Sequence, residues 1–380
     1  MKETFIQKLE QLLQVSTPHE IKGNFRYKPY VPDIFRPGGL DITLNNKKYH
    51  FKPGANPDLE ETLKTFHSLL DEDVQPDFAY ELSNVPTLNS ASQFYWLKRA
   101  AKLGKASAQN ILGNMYYSGK GVSQDYAEAV KWYRKAAEQG YAAAQNNLGN
   151  MYYSGKGVSF DYAEAVKWYR KAAEQGHAAA QNNLGNMYYS GKGVSLDYAE
   201  AVKWYRKAAE KGYAAAQNNL GNMYYSGKGV SLDYTEAVKW YRKAAEQGSI
   251  YAQNKLGNMY YSGKSVPKNM GEAIKWYRKA AEQGDASAQN SLGDCYSIYD
   301  PNSDVCFLNN TEAVKWYRKA AEKGNIYAQK NLGWNYFHGL GVPKDLTEAV
   351  KWFQKAAEQG DNDAKRTLRN LNSHYAIRKS

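Results

Sequence analysis

Apolar residues in the middle of the chain recur at a spacing of four, which is about one turn of an α-helix. In the segment Lys105–Gly140, the residues Ala108, Leu112 and Tyr116 follow this spacing. They predict a first helix over Ala106–Tyr117.

A glycine-rich turn and a second amphipathic helix complete this segment. The run Gly119-Lys120-Gly121 interrupts the apolar pattern. Asp125 and Glu128 then have the spacing of a capping box, which marks a helix start. One buried face is predicted for the second helix, because its apolar residues lie at i, i+3, i+4, i+7 and i+8: Ala129, Trp132, Tyr133, Ala136 and Ala137. The segment is therefore predicted to be a helical hairpin.

This hairpin repeats with a period of 36 residues. Leu-Gly pairs mark the period and end at Gly113, Gly149, Gly185, Gly221, Gly257, Gly293 and Gly333, with a last step of 40 residues. One hairpin cannot bury its own Trp, Tyr and Leu side chains, so neighbouring hairpins must stack. The fold class predicted is an all-α, right-handed superhelical solenoid of about seven full helix pairs.

The repeat resembles a known family. The pattern Ala-x-x-Leu-Gly-x-x-Tyr, then Gly-x-Gly-Val, then Asp-Tyr-x-Glu-Ala-x-x-Trp-Tyr-x-x-Ala-Ala-Glu-x-Gly is similar to the Sel1-like repeat, a relative of the tetratricopeptide repeat. The resemblance covers roughly residues 92–360. It implies an adaptor or scaffold for other proteins, in signalling, quality control, secretion or host interaction, mostly in bacteria.

Residues 1–67 are predicted to form a separate, small α+β cap region. Alternating apolar residues on both sides of Asn45-Asn46 predict a β-hairpin: Leu40, Ile42 and Leu44 before it, Tyr49 and Phe51 after it. Helices are expected over Met1–Val15, which lacks the uninterrupted apolar stretch of a signal peptide, and over Asp58–Leu70.

The solenoid is expected over residues 68–360, beginning with a degenerate helix at Asp77–Ser83, and a polar capping helix is expected within 361–380. The sixth unit is irregular, because Ser297–Asp304 replaces its glycine turn with a longer loop.

The formal net charge of +12 belongs to the repeats, since residues 1–91 contain 10 basic and 13 acidic side chains. Lys131, Arg134 and Lys135 and their equivalents form a basic belt on the second helices. Binding of nucleic acid is disfavoured, because Glu128 and Glu138 interrupt the belt and the aromatic residues beside it are needed in the core. No apolar stretch approaches the roughly 20 residues of a membrane span, and a cytoplasmic location is expected.

Regular recurrence of the polar residues argues against a single active site, so we predict no enzyme, no catalytic residue, no cofactor and no metal site. Gly119-Lys120-Gly121 lacks the spacing and strand context of a phosphate loop. Cys295 and Cys306 bracket the irregular loop and could close a small disulfide under oxidising conditions; two ordinary thiols or a reactive site are the alternatives.

A polar stripe on the first helices is the candidate site. It consists of Asn, Asn and Tyr at i, i+4 and i+7, a set predicted to lie exposed on the concave face and to bind a peptide through amide hydrogen bonds and aromatic contacts. We call this stripe the Asn–Tyr ladder. Its members are Asn110, Asn114, Tyr117; Asn146, Asn150, Tyr153; Asn182, Asn186, Tyr189; Asn218, Asn222, Tyr225; Asn254, Asn258, Tyr261.

The ladder changes in the last units, to Asn290, Asp294, Ser297 and then to Lys330, Trp334 and Phe337. Specificity is expected to concentrate there. The competing interpretation is that the Asn residues only form hydrogen bonds between neighbouring repeats, or that duplication copied a solvated stripe.

Two other functions remain open at this point. The resemblance extends to cysteine-rich members with cell-wall or β-lactam-related activity, but this chain lacks their paired cysteines in each repeat. A secretion-associated effector or immunity protein is the other alternative. The sequence leaves the partner and the oligomeric state undetermined.

Overall fold

A computed structural model describes residues 35–36, 39–44, 47–51, 80, 83–84, 90–264, 266–297 and 308–377. The chain divides into two compact parts, residues 1–175 and 176–380. Each part is considered by itself below.

A small antiparallel sheet lies in the N-terminal region. Its strands are β1 (Phe35–Arg36), β2 (Gly39–Leu44) and β3 (Lys47–Phe51), in the order β1-β2-β3. Ile42 pairs with Tyr49 and Leu40 with Phe51, so the predicted pairing of these two strands is present. The helices expected over Met1–Val15 and Asp58–Leu70 lie outside the described residues. Of the degenerate helix expected at Asp77–Ser83, only Tyr80 and Ser83 are described.

The rest of the described chain is helical. The helices are α1 (Ser90–Lys102), α2 (Ala106–Ser118), α3 (Tyr126–Glu138), α4 (Ala142–Ser154), α5 (Tyr162–Glu174), α6 (Ala178–Ser190), α7 (Tyr198–Glu210), α8 (Ala214–Ser226), α9 (Tyr234–Glu246), α10 (Ile250–Ser262), α11 (Met270–Glu282), α12 (Ala286–Ser297), α13 (Asn310–Glu322), α14 (Ile326–His338), α15 (Leu346–Glu358) and α16 (Asn362–Ile377). From α2 onward, even-numbered helices are the first helices of the repeats and odd-numbered helices up to α15 are the second. Within each part, consecutive helices pack as the pairs of a repeat solenoid, which confirms the predicted fold class.

Each second helix starts at a capped turn, but the predicted capping box is only half correct. The Asp161 side chain accepts a hydrogen bond from the Glu164 backbone N–H at 3.0 Å, as expected for an N-cap. The Asp161 N–H donates instead to the Tyr152 carbonyl of the preceding helix, at 3.0 Å. The Glu164 carboxylate is therefore free to accept from the indole N–H of Trp168, at 2.8 Å. The cap and the buried Trp are thus coupled through one Glu.

A glycine on each first helix makes room for an aromatic ring of the second helix. On α8, a Cβ at Gly221 would lie 2.7 Å from a ring carbon of Tyr241, closer than carbon atoms can approach. Tyr241 is fully buried. The repeated Leu-Gly pair is therefore a packing requirement between the two helices of a pair.

On α8, a buried glutamine joins the first helix to the hairpin before it. The Gln217 amide donates to the Ala209 carbonyl at the end of α7, at 3.1 Å, and accepts from the Gln247 amide at the end of α9, at 2.7 Å. Gln217 thus satisfies its own buried carbonyl oxygen and amide while linking three consecutive helices.

The last helix, α16, closes the described repeats. Ala364 is fully buried against the core, and Lys330 of α14 forms ion pairs with Asp361 and Asp363 at 3.4 and 3.2 Å. The polar helix expected after residue 360 is present and extends to Ile377. The loop expected at Ser297–Asp304 begins at the end of α12, and its residues after 297 lie outside the described residues.

Replacing Gly221 by Ala should lower the free energy of unfolding, because the new methyl group overpacks against Tyr241 at a cost of about 1–3 kcal/mol. This steric cost should exceed the gain of about 1 kcal/mol that Ala brings over Gly inside a helix. Chemical denaturation measures the change. Thr235→Ala is the control, since Thr235 is exposed and should shift stability by no more than about 0.5 kcal/mol. A Gly221→Ala protein as stable as the parent would show that the ring contact is not limiting.

Candidate partner-binding face

The second Asn of each ladder set is oriented by a tyrosine from the second helix. On α6, the Oδ1 atom of Asn186 accepts hydrogen bonds from the Tyr205 hydroxyl at 2.8 Å and from the Asn219 amide of the next repeat at 3.3 Å. Both donors reach the carbonyl oxygen. The amide oxygen of Asn186 therefore faces the protein, and its NH2 group is left on the other side.

The same tyrosine bond recurs along the described repeats. Its donor and acceptor pairs are Tyr133 and Asn114 at 2.8 Å, Tyr169 and Asn150 at 2.8 Å, Tyr241 and Asn222 at 2.6 Å, and Tyr277 and Asn258 at 2.6 Å. Burial raises the pKa of each of these tyrosines well above its usual value, so the hydroxyl stays protonated and can donate.

Four of the amide nitrogens in this row are available for a partner. Within the described part of the chain, no group accepts a hydrogen bond from the Nδ2 atoms of Asn114, Asn186, Asn222 and Asn258. Asn222 is half-buried and the other three are exposed. We call the side chain at the second position of each ladder set a rung. Each of these four rungs presents two N–H donors that water or a ligand must satisfy.

The first Asn of each ladder set does not have the predicted exposure. Asn110, Asn146 and Asn182 are buried, the first at 7% exposure, and Asn218 and Asn254 are half-buried. The Oδ1 of Asn182 accepts from Asn219 of the next repeat at 2.9 Å. The prediction that this position is exposed was therefore wrong, because the neighbouring first helix covers it. Hydrogen bonding between repeats, the competing interpretation, is present here.

The ladder tyrosines are partly exposed and also pack against neighbouring side chains. Tyr117, Tyr153 and Tyr189 are exposed by 37–39%, whereas Tyr225 and Tyr261 are half-buried. The Tyr189 ring packs against that of Tyr198 with centroids 5.3 Å apart.

Two of these rings each contact a lysine from the next repeat. These contacts were not predicted from the sequence. Lys228 Nζ lies 5.1 Å from the Tyr189 ring centroid and donates to its hydroxyl at 3.1 Å, and Lys156 contacts Tyr117 in the same way. The hydrogen bond that each lysine donates to the tyrosine hydroxyl raises the pKa of that lysine. Each lysine is the central residue of a Gly-Lys-Gly turn, and its fixed position in the repeat is the signal that could have identified it.

In the sixth repeat an aspartate replaces the oriented Asn. Oδ1 of Asp294 accepts from the Tyr317 hydroxyl at 2.8 Å and from Asn331 at 3.1 Å, and Oδ2 accepts from Asn290 at 3.1 Å. Burial raises the pKa of the Asp294 carboxyl, and the hydrogen bonds from Tyr317 and Asn290 oppose that shift. An acidic side chain thus occupies the position that holds a neutral amide in the five preceding repeats.

In the last full repeat the polar pair becomes an aromatic pair. Phe353 has no hydroxyl to donate, and Trp334 occupies the Asn position, with the two ring centroids 5.5 Å apart. Trp334 also stacks on His338 at 5.2 Å and meets Phe337 edge-on at 5.7 Å. Trp334 remains 38% exposed, so the ladder ends in an accessible aromatic surface.

Cys295 is buried on α12, and burial raises the pKa of its thiol to about 12. A thiol with that pKa stays protonated at neutral pH, which does not favour a reactive site. Cys306 lies outside the described residues, so the disulfide between the two remains a prediction.

The basic side chains on the second helices form contacts with side chains of their own repeat and of the next one. On α7, Lys203 pairs with Glu200 at 3.1 Å, Arg206 donates to the Tyr224 hydroxyl at 2.6 Å, and Lys207 lies 4.3 Å from the Trp204 ring centroid. These contacts favour the interpretation of the belt as a structural, solvated face.

Among the described residues, no group of three or more His, Cys, Asp or Glu side chains could hold a metal ion. None of the helices in the described ranges combines the length and apolar character needed to cross a bilayer.

The family comparison matches the chain to the Sel1 repeat. The matched segments are residues 94–105, 106–141, 142–177, 178–213, 214–249, 250–285, 286–325 and 326–361. The seven segments from residue 106 onward each contain one of the helix pairs described above, and residues 94–105 cover the end of α1.

Two solved structures of bacterial proteins are similar to this chain. A protective antigen present in uropathogenic Escherichia coli strains, displaying an SLR fold, is 38% identical, with a TM-score of 0.73 over 83% of this chain and 67% of that one. A Sel1 repeat protein from Oxalobacter formigenes is 32% identical, with a TM-score of 0.61 over 81% of this chain and 90% of its own. No curated protein matches the chain significantly.

The raised pKa of Asp294 predicts a pH-dependent gain from Asp294→Asn. A carboxyl whose pKa is higher in the folded state than in the unfolded chain destabilises the fold as the pH rises from the unfolded pKa to the folded pKa. Above the folded pKa this loss of stability is complete. We therefore expect Asp294→Asn to raise the unfolding temperature at pH 7, with a gain that shrinks as the pH is lowered towards about 3, below the usual Asp pKa.

Thermal unfolding followed by circular dichroism at several pH values checks this. Asp363→Asn is the matched control: it removes the exposed partner of Lys330 and should lower the unfolding temperature slightly or leave it unchanged at pH 7. An Asp294→Asn protein that is less stable than the parent at pH 7 would show that the carboxylate is net stabilising.

Proposed function

Because the chain belongs to the Sel1 repeat family, we propose that it is a non-enzymatic adaptor that binds an extended segment of a partner protein along its Asn–Tyr ladder. Sel1 repeat proteins are in general protein-interaction scaffolds. The observation that carries the proposal is a set of four oriented Asn amides, those of Asn114, Asn186, Asn222 and Asn258, whose NH2 groups have no acceptor among the described residues.

The N–H donors of the ladder complement the carbonyl groups of an extended peptide, which lack hydrogen-bond partners. Carbonyl groups of an unpaired strand need hydrogen-bond donors when they leave water, and side-chain amides can supply them without reading the peptide's sequence. Three such rungs, Asn186, Asn222 and Asn258, lie in the C-terminal compact part, and Asn114 lies in the N-terminal part.

The spacing of the rungs also fits. Neighbouring first helices touch through Asn219 and Asn182, and touching helices lie about 8–10 Å apart. An extended chain advances about 3.3–3.6 Å per residue, so about every third peptide residue would meet a rung.

The ladder tyrosines would flank the bound segment. The exposed edge of Tyr189 offers apolar contact area beside the Asn186 amide, while Lys228 holds the ring in place. A ring that is already fixed loses little conformational entropy on binding.

A role in holding the repeats together does not compete with this function. The carbonyl oxygen of Asn186 serves the fold, because it accepts from Tyr205 and Asn219. The amide nitrogen is not used by those contacts. One side chain can therefore carry both roles.

The test distinguishes the structural role of the amide oxygen from the binding role of the amide nitrogen. Asn186→Asp, Asn222→Asp and Asn258→Asp, combined in one variant, keep the oxygen that accepts from the tyrosines but remove the outward N–H donors and add negative charge. We expect the variant to stay folded, since the chain itself has Asp294 at this position, and to lose at least about tenfold in affinity for a partner captured from cell extract.

Lys167→Gln, Lys203→Gln and Lys239→Gln form the control, since they change the net charge equally on the exposed second-helix face. The control variant should keep the partner. If the Asp variant is folded and binds the same partner with unchanged affinity, the ladder is only structural and the proposal fails.

A further inference from the structure

We propose that Asp294, with Trp334 beside it, binds a basic side chain, Arg or Lys, of the partner segment. This inference rests on the proposed function and names the chemistry of one partner residue. It concerns the C-terminal compact part alone.

The Asp294 carboxylate has hydrogen bonds but no counter-ion. Its three donors, Tyr317, Asn331 and Asn290, are all neutral. No Lys, Arg or His of the described residues forms an ion pair with it. Partial burial of a carboxylate without an opposite charge is costly, so a cation that arrives with a ligand gains from neutralising it.

The carboxylate also has an acceptor position left. Its two oxygens offer about four positions and accept three hydrogen bonds in the fold. Oδ2, which accepts only from Asn290, replaces the outward NH2 group of the other rungs. This rung therefore presents an acceptor where its neighbours present donors.

The nearby lysine does not neutralise Asp294. Lys330 occupies the first ladder position of the next repeat, but its ammonium pairs with Asp361 and Asp363 at the start of α16. That ion-pair network leaves the charge of Asp294 for a ligand.

Aromatic groups stand on both sides of this rung. Asn331, which donates to Asp294, lies three residues before Trp334 on α14, so the exposed indole continues the same helix face. On the preceding repeat, burial and the charge of Asp294 both raise the pKa of Tyr261. A carboxylate between aromatic rings suits a guanidinium or ammonium group, through an ion pair and cation–π contacts.

A display library of random peptides about 12 residues long, sufficient to span three rungs, provides the probe. Peptides enriched on the full chain should carry Arg or Lys at one fixed position. Replacing that Arg by citrulline, its neutral isostere, should weaken binding by at least about tenfold.

Asp294→Asn restores the residue of the other rungs and should bind the Arg and citrulline peptides equally. Trp334→Asn should weaken the Arg peptide several-fold. Glu322→Gln, which removes an exposed acid from the second helix of the same repeat, should keep the full preference.

The outcomes separate this inference from the proposed function. Enriched peptides that lack a basic position, or an Arg preference that survives in Asp294→Asn, overturn the inference. If such peptides still depend on Asn186, Asn222 and Asn258, the proposed function stands. Peptides that bind the triple Asn→Asp variant unchanged, or a library that yields no enrichment, contradict both.

Discussion

The tyrosine ring of each second helix lies where the glycine of its first helix has no side chain, and the rest of the repeat depends on this contact. For Tyr241 the gap to a Cβ on Gly221 would be 2.7 Å, so any larger residue would push the helices apart. The close approach brings the tyrosine hydroxyl to the Asn one residue after that glycine, at 2.6 Å from Asn222. Packing and the orientation of the candidate site are thus consequences of one contact.

Several polar residues of the repeat serve two neighbours at once, which explains their regular recurrence. Glu164 receives the indole of Trp168 because the cap's own N–H already has a carbonyl acceptor. Gln217 likewise links three helices, because its side-chain amide donates to one neighbour and accepts from another. Asn186 differs from these two, because its contacts with Tyr205 and Asn219 use only its oxygen. Recurrence alone therefore cannot separate a structural polar residue from a binding one.

The two departures from the pattern follow the same physical logic. When the tyrosine becomes Phe353, no hydroxyl remains for an Asn, and Trp334 fills the position by ring contact instead. When Asp294 replaces Asn, the tyrosine bond persists through Oδ1, and only the outward atom changes from donor to acceptor. Both changes preserve the packing inside the repeat and alter the surface that a partner would meet.

The sequence by itself determined the helices, the turns, the 36-residue period and the stacking of hairpins, because helix periodicity, capping and glycine turns are local properties. It also placed Trp132 and Tyr133 in the core and located the β2–β3 hairpin. Only the tertiary structure decided that Asn182 is buried while Asn186 is exposed, although both lie on one helical stripe. It also decided that Glu164 binds an indole and that Lys228 clamps Tyr189. These outcomes depend on side chains one repeat away, whose approach is set by packing between helices and not by the spacing of residues along one helix.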